Sequence, residues 1–464
     1  MTETAASPGD PASIIRSRRF VVLLVLAALI GVVASLAAWC FLELIHQIQV
    51  GVYTDLPKDF GYDTAPDWWS LPVLAVAGVV TAFAIVRLPG RGGHLPANGL
   101  SGGVTQPVDL PGVILAALAT IGLGVVLGPE APLIALGSGL GLLAIRFARG
   151  NTPPEVGEVL AAAGMFAAMA LIFASPIIAA IILIEAAGLG GPRLPLVLVP
   201  GLLAAGIGSL ISIGMGSWTG LSTSAYALGS LSLPSFARPD IADFGWSILL
   251  AAAVAIVSFA VFRLARATVR LVTTRPFVLL PVVGIAVSGL AMLFAETTGK
   301  SVNEVLFSGQ DQLAGLVSGA ATWSLSALAL LVVFKGLAWA ISLGSFRGGP
   351  TFPALFLGAA GGLMAAQLPG YSLTPAVAVG IGAAVASVLR LPLSGVVLAA
   401  LLTAQSGAGS LPLVIVGVVV AYVITTVLSP PPASAGGSAD AADPAEEQGS
   451  PAGAATGPMG ESGG

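Results

Sequence analysis

Charged residues are scarce in this sequence. Only 9% of its 464 residues are Asp, Glu, Lys or Arg, whereas 56% are hydrophobic and the mean hydropathy is +0.98. An ordinary soluble domain carries about 25% charged residues. Since a soluble fold has no interior large enough for so many apolar side chains, the composition excludes that class and predicts an integral membrane protein.

Cysteine and histidine, which build disulfides and many metal and catalytic sites, are almost missing. Cys40 is the single cysteine, so it can form no intrachain disulfide. The only two histidines, His46 and His94, do not form an HExxH motif, which disfavours a membrane metalloprotease. No basic patch of useful size suggests binding to nucleic acid. We therefore expect no catalytic residue, no bound metal and no cofactor.

The two ends of the chain differ in charge. Arg16, Arg18 and Arg19 precede the first apolar run, and the positive-inside rule then favours a cytoplasmic segment 1–19. We expect the protein to lie in the cell membrane. That run is too long for the apolar core of a signal peptide. Residues 429–464 contain acidic residues but neither Lys nor Arg, which predicts a disordered acidic tail and no regulatory domain after the membrane part.

Hydrophobic residues fall into fourteen runs, and several are shorter than the ~20 residues that span a bilayer. Gly or Pro interrupts many of them. Short, broken segments of this kind are typical of discontinuous helices that end near the bilayer midplane in transporters. The runs are 20–45, 71–88, 112–128, 131–148, 159–173, 176–189, 195–214, 247–265, 277–295, 322–344, 353–367, 374–389, 392–403 and 411–428.

An internal repeat organises these runs. GPEAPLIALGSGLGLLA at 128–144 aligns with GPTFPALFLGAAGGLMA at 349–365, and 164–186 aligns with 380–402 at nearly the same offset. The repeat predicts an all-α polytopic membrane protein over 20–428, with two pseudo-symmetric halves at about 20–214 and 247–428. We expect the halves to be inverted, the common arrangement in transporters with broken helices, and their helix ends to meet near the midplane.

The first copy of the repeat carries one charged residue, Glu130, between two prolines. A charge inside the membrane costs about 2.5–3.5 kcal/mol, so such a carboxylate is a functional candidate. Free N–H groups and the dipole of the helix that starts here favour an anion, and GGPTFP at 348–353 opens a second helix in the same way. An ionised Glu130 would occupy this anion site, and protonation would release it. The alternative is a capping acid bound by the amides of its own first turn.

Five segments together resemble the CLC family of chloride channels and proton-coupled chloride antiporters. GPEAP is similar to the family's gating-glutamate motif, and the other segments are GGHLP at 92–96, FASPIIAAIILIEA at 173–186, 335–353 and 380–403. The resemblance implies a homodimer in the bilayer in which each subunit moves an inorganic anion, with Glu130 as the gate. It assigns anion binding to Gly93, Gly128, Pro129, Ala131, Gly349, Pro350, Thr351 and Phe352.

Several positions depart from the family pattern. Gly93 stands where the family has an anion-binding serine, Thr351 replaces a phenylalanine, and Ala186 replaces the glutamate of the proton path. Glu185 then becomes the candidate proton relay. We therefore expect passive or loosely coupled transport of chloride or a similar anion. Proton-coupled chloride or fluoride antiport stays open, with a membrane-embedded enzyme or scaffold as a remote alternative.

Lys335 lies inside an apolar run and allows two interpretations. It could anchor the vestibule of the pathway on the intracellular side, or its ammonium group could extend to the membrane interface along its apolar stem.

Overall fold

The computed structural model describes residues 15–100, 103–147, 154–188, 190–191, 194–221 and 228–429. Within these residues the chain forms fifteen helices of nine or more residues, and the only β-type pairing is one isolated bridge. The first half contains α1 Arg18–Val50, α2 Ser70–Arg87, α3 Leu110–Gly122, α4 Glu130–Phe147, α5 Pro154–Ile172, α6 Pro176–Ala186 and α7 Leu194–Thr219. The second half contains α8 Ile241–Val272, α9 Pro276–Thr298, α10 Gln310–Ser318, α11 Leu325–Leu343, α12 Thr351–Ala365, α13 Leu373–Leu389, α14 Pro392–Leu402 and α15 Leu411–Leu428.

Eight helical stretches of the described chain are long and apolar enough to cross a membrane. Five other apolar helical stretches have only 10 to 17 residues, which is less than a bilayer requires. The eight are Arg18–Asp59, Asp67–Arg87, Glu155–Ile172, Leu194–Thr219, Ile241–Val272, Pro276–Thr298, Leu325–Leu343 and Ala408–Leu428. The prediction of an all-α, multi-pass membrane protein with broken helices is confirmed.

The second half repeats the packing of the first. α4 packs on α5 as α12 packs on α13, and α5 contacts α6 and α7 as α13 contacts α14 and α15. A proline occupies the first position of both α6 and α14, where its fixed φ suits a helix and its missing N–H is not needed. These prolines, Pro176 and Pro392, align in the repeat, so equivalent residues start equivalent helices.

Glycines allow the paired helices to approach closely in both halves. A Cβ at Gly137 would lie 2.6 Å from the carbonyl carbon of Gly164, and one at Gly358 would lie 2.9 Å from the carbonyl carbon of Gly380. No side chain fits at such distances, so small residues set the spacing of these helices. The four glycines are equivalent by the repeat, which confirms in the packing what the sequence alignment predicts.

α2 and α9 cross where the two halves meet. A Cβ at Gly78 would lie 2.6 Å from the carbonyl carbon of Leu280, and one at Gly284 would lie 2.7 Å from the carbonyl carbon of Leu74. The glycine lies four residues after the leucine on each helix, so the two contacts exchange the roles of the helices. Such an exchange is what a local twofold axis between the halves produces.

Two helix boundaries differ from the sequence pattern. The apolar run 112–128 is helical only to Gly122, because Gly124 has φ +93, and the next helix begins at Glu130. α10 was not predicted, since its nine residues begin with polar side chains. Of the predicted terminal segments, 1–14 and 430–464 lie outside the described residues, and the disordered tail stays a prediction.

Candidate functional site

The two copies of the Gly-Pro turn meet inside the protein. The Gly128 N–H donates to the Gly349 carbonyl at 2.8 Å, and the Gly349 N–H donates to the Gly128 carbonyl at 2.6 Å. This antiparallel bridge joins residues that are equivalent in the repeat. It therefore places the start of α4 beside the start of α12, and the two helix N-termini face a shared position.

The Glu130 side chain connects the two helix starts. Its Oε1 accepts a hydrogen bond from the Thr351 backbone N–H, although 221 residues separate the two. Glu130 is 0% exposed, and its Oε2 has no hydrogen-bond partner among the described residues. The hydroxyl of Thr351 is equally buried and unpaired within the described chain. Glu130 thus contacts the first turn of a helix in the opposite repeat, whereas the capping alternative requires only the amides of its own first turn.

Glycine is needed on both sides of this carboxyl group. A Cβ at Gly349 would overlap Cδ of Glu130, and a Cβ at Gly128 would overlap its Oε2. The same Cβ at Gly128 would lie 2.8 Å from the Phe352 ring. The carboxyl group therefore lies between two bare backbones, whose N–H groups supply positive potential.

Aromatic rings close the apolar side of the site. Phe352 stacks on Phe173 with ring centroids 5.7 Å apart, and both rings are buried. Phe173 follows α5 directly and precedes Ser175, which caps α6. Phe173 was not among the predicted site residues; the signal for it was its place in the turn between two helices that the repeat aligns.

Eight of the ten predicted site residues form one group, and the two others are Gly93 and Glu185. Contiguity along the chain and the bridge bring together Gly128, Pro129, Glu130, Ala131, Gly349, Pro350, Thr351 and Phe352. Gly93 instead lies in the loop after α2, where a Cβ would meet Val113 of α3 at 3.1 Å. Its φ of +93 lies in the region that favours glycine, so a serine would be strained here.

Glu185 lies in a different environment from Glu130. It accepts hydrogen bonds from the Leu393 N–H at 2.9 Å, the Ser394 N–H at 2.7 Å and the Ser394 hydroxyl at 2.6 Å. These donors belong to the first turn of α14, so Glu185 caps a helix of the other repeat. None of these bonds involves a residue of the Glu130 site.

Lys335 is fully buried, so the interpretation that its ammonium group extends to the membrane interface is wrong. Its Nζ donates to the carbonyls of Glu304, Val305 and Leu306 at 2.9, 3.2 and 3.0 Å. The ammonium group also lies 4.5 Å from the centroid of the Phe356 ring. Lys335 therefore anchors the loop before α10, and whether that loop borders a vestibule stays a prediction.

Within the described residues, no group of three or more His, Cys, Asp or Glu side chains could hold a metal ion. Cys40 is exposed and unpaired.

Comparison with known proteins decides the family. The family model for the voltage gated chloride channel matches residues 78–426. The chain belongs to the voltage-gated chloride channel family. A relative, the putative ion-transport protein YfeO of Escherichia fergusonii, is 30% identical over 359 residues, which are 75% of this chain and 80% of that protein. The protein of the same name from Escherichia coli O7:K1 has the same identity and coverage.

Solved structures agree on the fold. A slow cyanobacterial Cl⁻/H⁺ antiporter matches with a TM-score of 0.69 and 19% identity over 88% of this chain and 95% of that chain. A CLC-type fluoride/proton antiporter matches with a TM-score of 0.65 and 19% identity over 88% and 96% of the two chains. The resemblance predicted from motifs is confirmed: this is a multi-pass CLC-family protein, from a family of ion channels and transporters.

Proposed function

We propose that this protein moves small inorganic anions, chloride first of all, across the cell membrane, and that Glu130 gates the path. The observation that supports the gate is the buried carboxyl group held by the first N–H of α12, with its second oxygen unpaired. N–H groups that bind a carboxylate can also bind a halide. The tethered carboxylate and the transported anion would therefore compete for one site.

Protonation of Glu130 would weaken this competition. A neutral carboxylic acid loses its attraction to the two helix N-termini, and the side chain can leave the site to an anion. Binding of that anion would be weak and reversible, because only partial charges hold it. Acidification is therefore expected to increase anion flux.

We propose passive or loosely proton-coupled transport as the mechanism. Glu185 accepts three hydrogen bonds from the start of α14, which hold its side chain at that helix and apart from the residues of the Glu130 site. Ala186 has no titratable group. The second candidate is proton-coupled antiport of chloride or fluoride, and the similarity in fold to the Cl⁻/H⁺ and fluoride/proton antiporters favours it.

The test records anion efflux and proton uptake together in liposomes that contain the purified protein. Wild type, Glu130→Gln and the control Glu158→Gln are compared at about pH 4.5, near the ordinary glutamate pKa, and at about pH 7.5. Glu158 is an exposed acid on α5, so its variant changes the same charge away from the site. We expect Glu130→Gln to conduct chloride equally at both pH values, and the control to behave like wild type.

Two outcomes would contradict these proposals. If Glu130→Gln keeps the pH dependence of wild type, Glu130 is not the gate. If wild type moves protons uphill in a fixed whole-number ratio to anions, the transport is coupled, and Glu185→Gln becomes the next variant to measure.

We also propose a homodimer with a cytoplasmic N-terminus. The short helices α6 and α14 expose Ile177 and Leu393, which a partner subunit would cover. Light scattering of the detergent-solubilised protein measures the mass of the assembly.

Because Cys40 is the single cysteine, Cys40→Ser with Ser17→Cys gives one labelling position, and an impermeant thiol reagent applied to cells should fail to label it. A monomeric mass, or labelling of intact cells, would contradict the corresponding proposal.

A further inference from the structure

A large apolar cavity lies between α8, α11 and α12. Its volume is about 330 Å³, and no charged side chain is among the described residues that line it. Neither Glu130 nor Thr351 belongs to this lining. An apolar cavity of about 150 Å³ can hold one benzene molecule, so this one has room for a hydrocarbon of roughly a dozen carbon atoms. Its chemistry suits an uncharged, apolar ligand and not an ion.

The cavity is long and narrow. Its lining extends from Trp246 to Ser258 on α8 and from Leu325 to Trp339 on α11. At the helical rise of 1.5 Å per residue, these stretches are about 18 and 21 Å long. The hydrocarbon of one lipid leaflet is about half of the ~30 Å core of a bilayer. The groove is therefore long enough for an extended acyl chain of one leaflet.

Small residues of α12 leave this space open. Ala354, Gly361 and Ala365 line the cavity at intervals of seven and four residues, which places them on one face of the helix. A Cβ at Gly361 would come no closer than 4.0 Å to Leu250 and Val254, so no neighbouring side chain fills the groove there. Walls that lack neighbouring atoms gain van der Waals contacts when a ligand enters.

The groove opens toward the membrane. Leu249 and Leu325 of the lining are 59% and 49% exposed, and α8 and α11 are long and apolar enough to cross a bilayer. An exposed apolar surface on such helices faces lipid hydrocarbon. A lipid chain is therefore the apolar ligand that surrounds this opening.

Tryptophan and lysine lie at one end of the groove. Trp246 lines the cavity, and its Nε1 donates to the Pro369 carbonyl at 3.1 Å. Directly before α11, the Lys300 ammonium lies 4.5 Å from the centroid of the Trp323 ring and donates to the Thr322 carbonyl at 3.2 Å. An ammonium group has three donors, so others are left for a phosphate group. Tryptophan and lysine side chains are typical of the level of the lipid headgroups.

We infer that the groove binds one acyl chain of an anionic membrane phospholipid, whose phosphate group lies at Lys300. The chain lies between α8 and α11, on the small residues of α12, and reaches from Trp246 to Ser258. Contacts along the groove hold the chain, and the charge of Lys300 favours an anionic headgroup.

The test uses the protein in nanodiscs of phosphatidylcholine with increasing fractions of phosphatidylglycerol that carries bromine on its acyl chains. Bromine quenches the fluorescence of a tryptophan that it contacts. Trp339 is only 2% exposed, so a chain must enter the cavity to quench it. We expect Trp339→Phe to remove one quenched component, and Ala253→Phe, which places a ring in the groove, to remove the same component. Ile256→Phe changes an exposed residue of α8 outside the cavity and should match wild type.

Lys300→Gln tests the headgroup. It should raise the bromolipid fraction that half-quenches Trp339 by up to about fivefold, the scale of one surface charge pair. Lys58→Gln removes the same charge at an exposed position outside the cavity and should match wild type. Equal values for Lys300→Gln and wild type would overturn the assignment of the phosphate group to Lys300.

Electron cryo-microscopy of the same nanodiscs covers the case in which Trp339→Phe does not fold. Wild type should show elongated density along the groove, and Ala253→Phe should show none. An empty groove in wild type, a helix of a partner subunit inside it, or equal quenching of wild type and Ala253→Phe would overturn the inference. Neither measurement requires transport, so the result is independent of the proposed function.

Discussion

Glu130 and Glu185 make the same kind of contact, but they differ in how many of their carboxylate oxygens have a hydrogen-bond partner. Each is an acid of the first half that accepts hydrogen bonds from the first N–H groups of a helix in the second half. Both oxygens of Glu185 have partners, including the Ser394 hydroxyl. Glu130 is more deeply buried, yet one of its oxygens has no partner in the described chain. An unsatisfied buried group needs a reason, and the proposed exchange with an ion would supply one.

The two Gly-Pro turns are equivalent in the repeat, but they differ in the side chain that follows them. Glu130 and Thr351 occupy equivalent positions in the repeat, and the turns before them form the bridge through equivalent glycines. The first turn supplies a carboxylate, whereas the second supplies the N–H that binds it. The backbone symmetry thus builds the site, and the one side chain that breaks it is the proposed gate.

The largest loss of stability should come from Gly349→Ala, which disturbs the packing around Glu130. The new Cβ overlaps the carboxyl group, and overpacking of this kind costs about 3 kcal/mol or more. Glu130→Ala in the same chain removes the overlapping atoms and should restore the melting temperature, which thermal unfolding in detergent measures.

Gly128→Ala is the matched control for that rescue. Its Cβ would also lie 2.8 Å from the Phe352 ring, which Glu130→Ala does not remove. Rescue of Gly128→Ala should therefore be incomplete. Equal rescue of both glycine variants would show that the packing around the carboxyl group is wrong as described.

Lys335→Met extends the comparison to a buried cation whose ammonium group has hydrogen-bond partners. The change leaves the carbonyls of residues 304–306 buried without their donor, which should lower the free energy of unfolding by about 2 kcal/mol. We expect a lower melting temperature with unchanged pH dependence of chloride flux. A changed pH dependence would instead make Lys335 part of the gating machinery.

Glu185→Gln should have a smaller effect. The amide keeps one oxygen that can accept a hydrogen bond but loses the charge at the N-terminus of α14, a change of about 1 kcal/mol. Melting temperature should decrease slightly and the pH dependence of anion flux should persist. If the variant abolishes proton movement that wild type shows, Glu185 is a relay and the distinction between the two acids is wrong.

Thr351→Val should produce the smallest change in stability. The hydroxyl has no partner among the described residues, whereas the backbone N–H that binds Glu130 is kept. We expect a shift in unfolding free energy within about 0.5 kcal/mol and preserved gating by pH. Loss of the pH response in this variant would mean that the hydroxyl, and not the N–H, holds the gate.

The fold could be predicted to a large extent because its signals are local. Long apolar runs, the prolines that start α6 and α14, and the glycines of the paired helices all lie in the sequence at fixed offsets. α10 was missed because nine residues with polar ends carry little periodic signal. The contiguous site residues could be predicted as well, since two Gly-Pro turns indicate where two helices start. Gly93 was assigned to the site from resemblance, and its role there stays a prediction.

The sequence by itself determined the membrane class, the repeat, the family and the carboxylate at the first helix start, because composition and spacing are properties of the chain. Only the tertiary structure decided which groups these residues contact. The Glu130 oxygen meets an N–H 221 residues away, Glu185 meets the start of α14, and Lys335 turns inward to a loop. Such pairings arise when distant segments pack together, and whether a buried polar atom is satisfied depends on neighbours that no local pattern specifies.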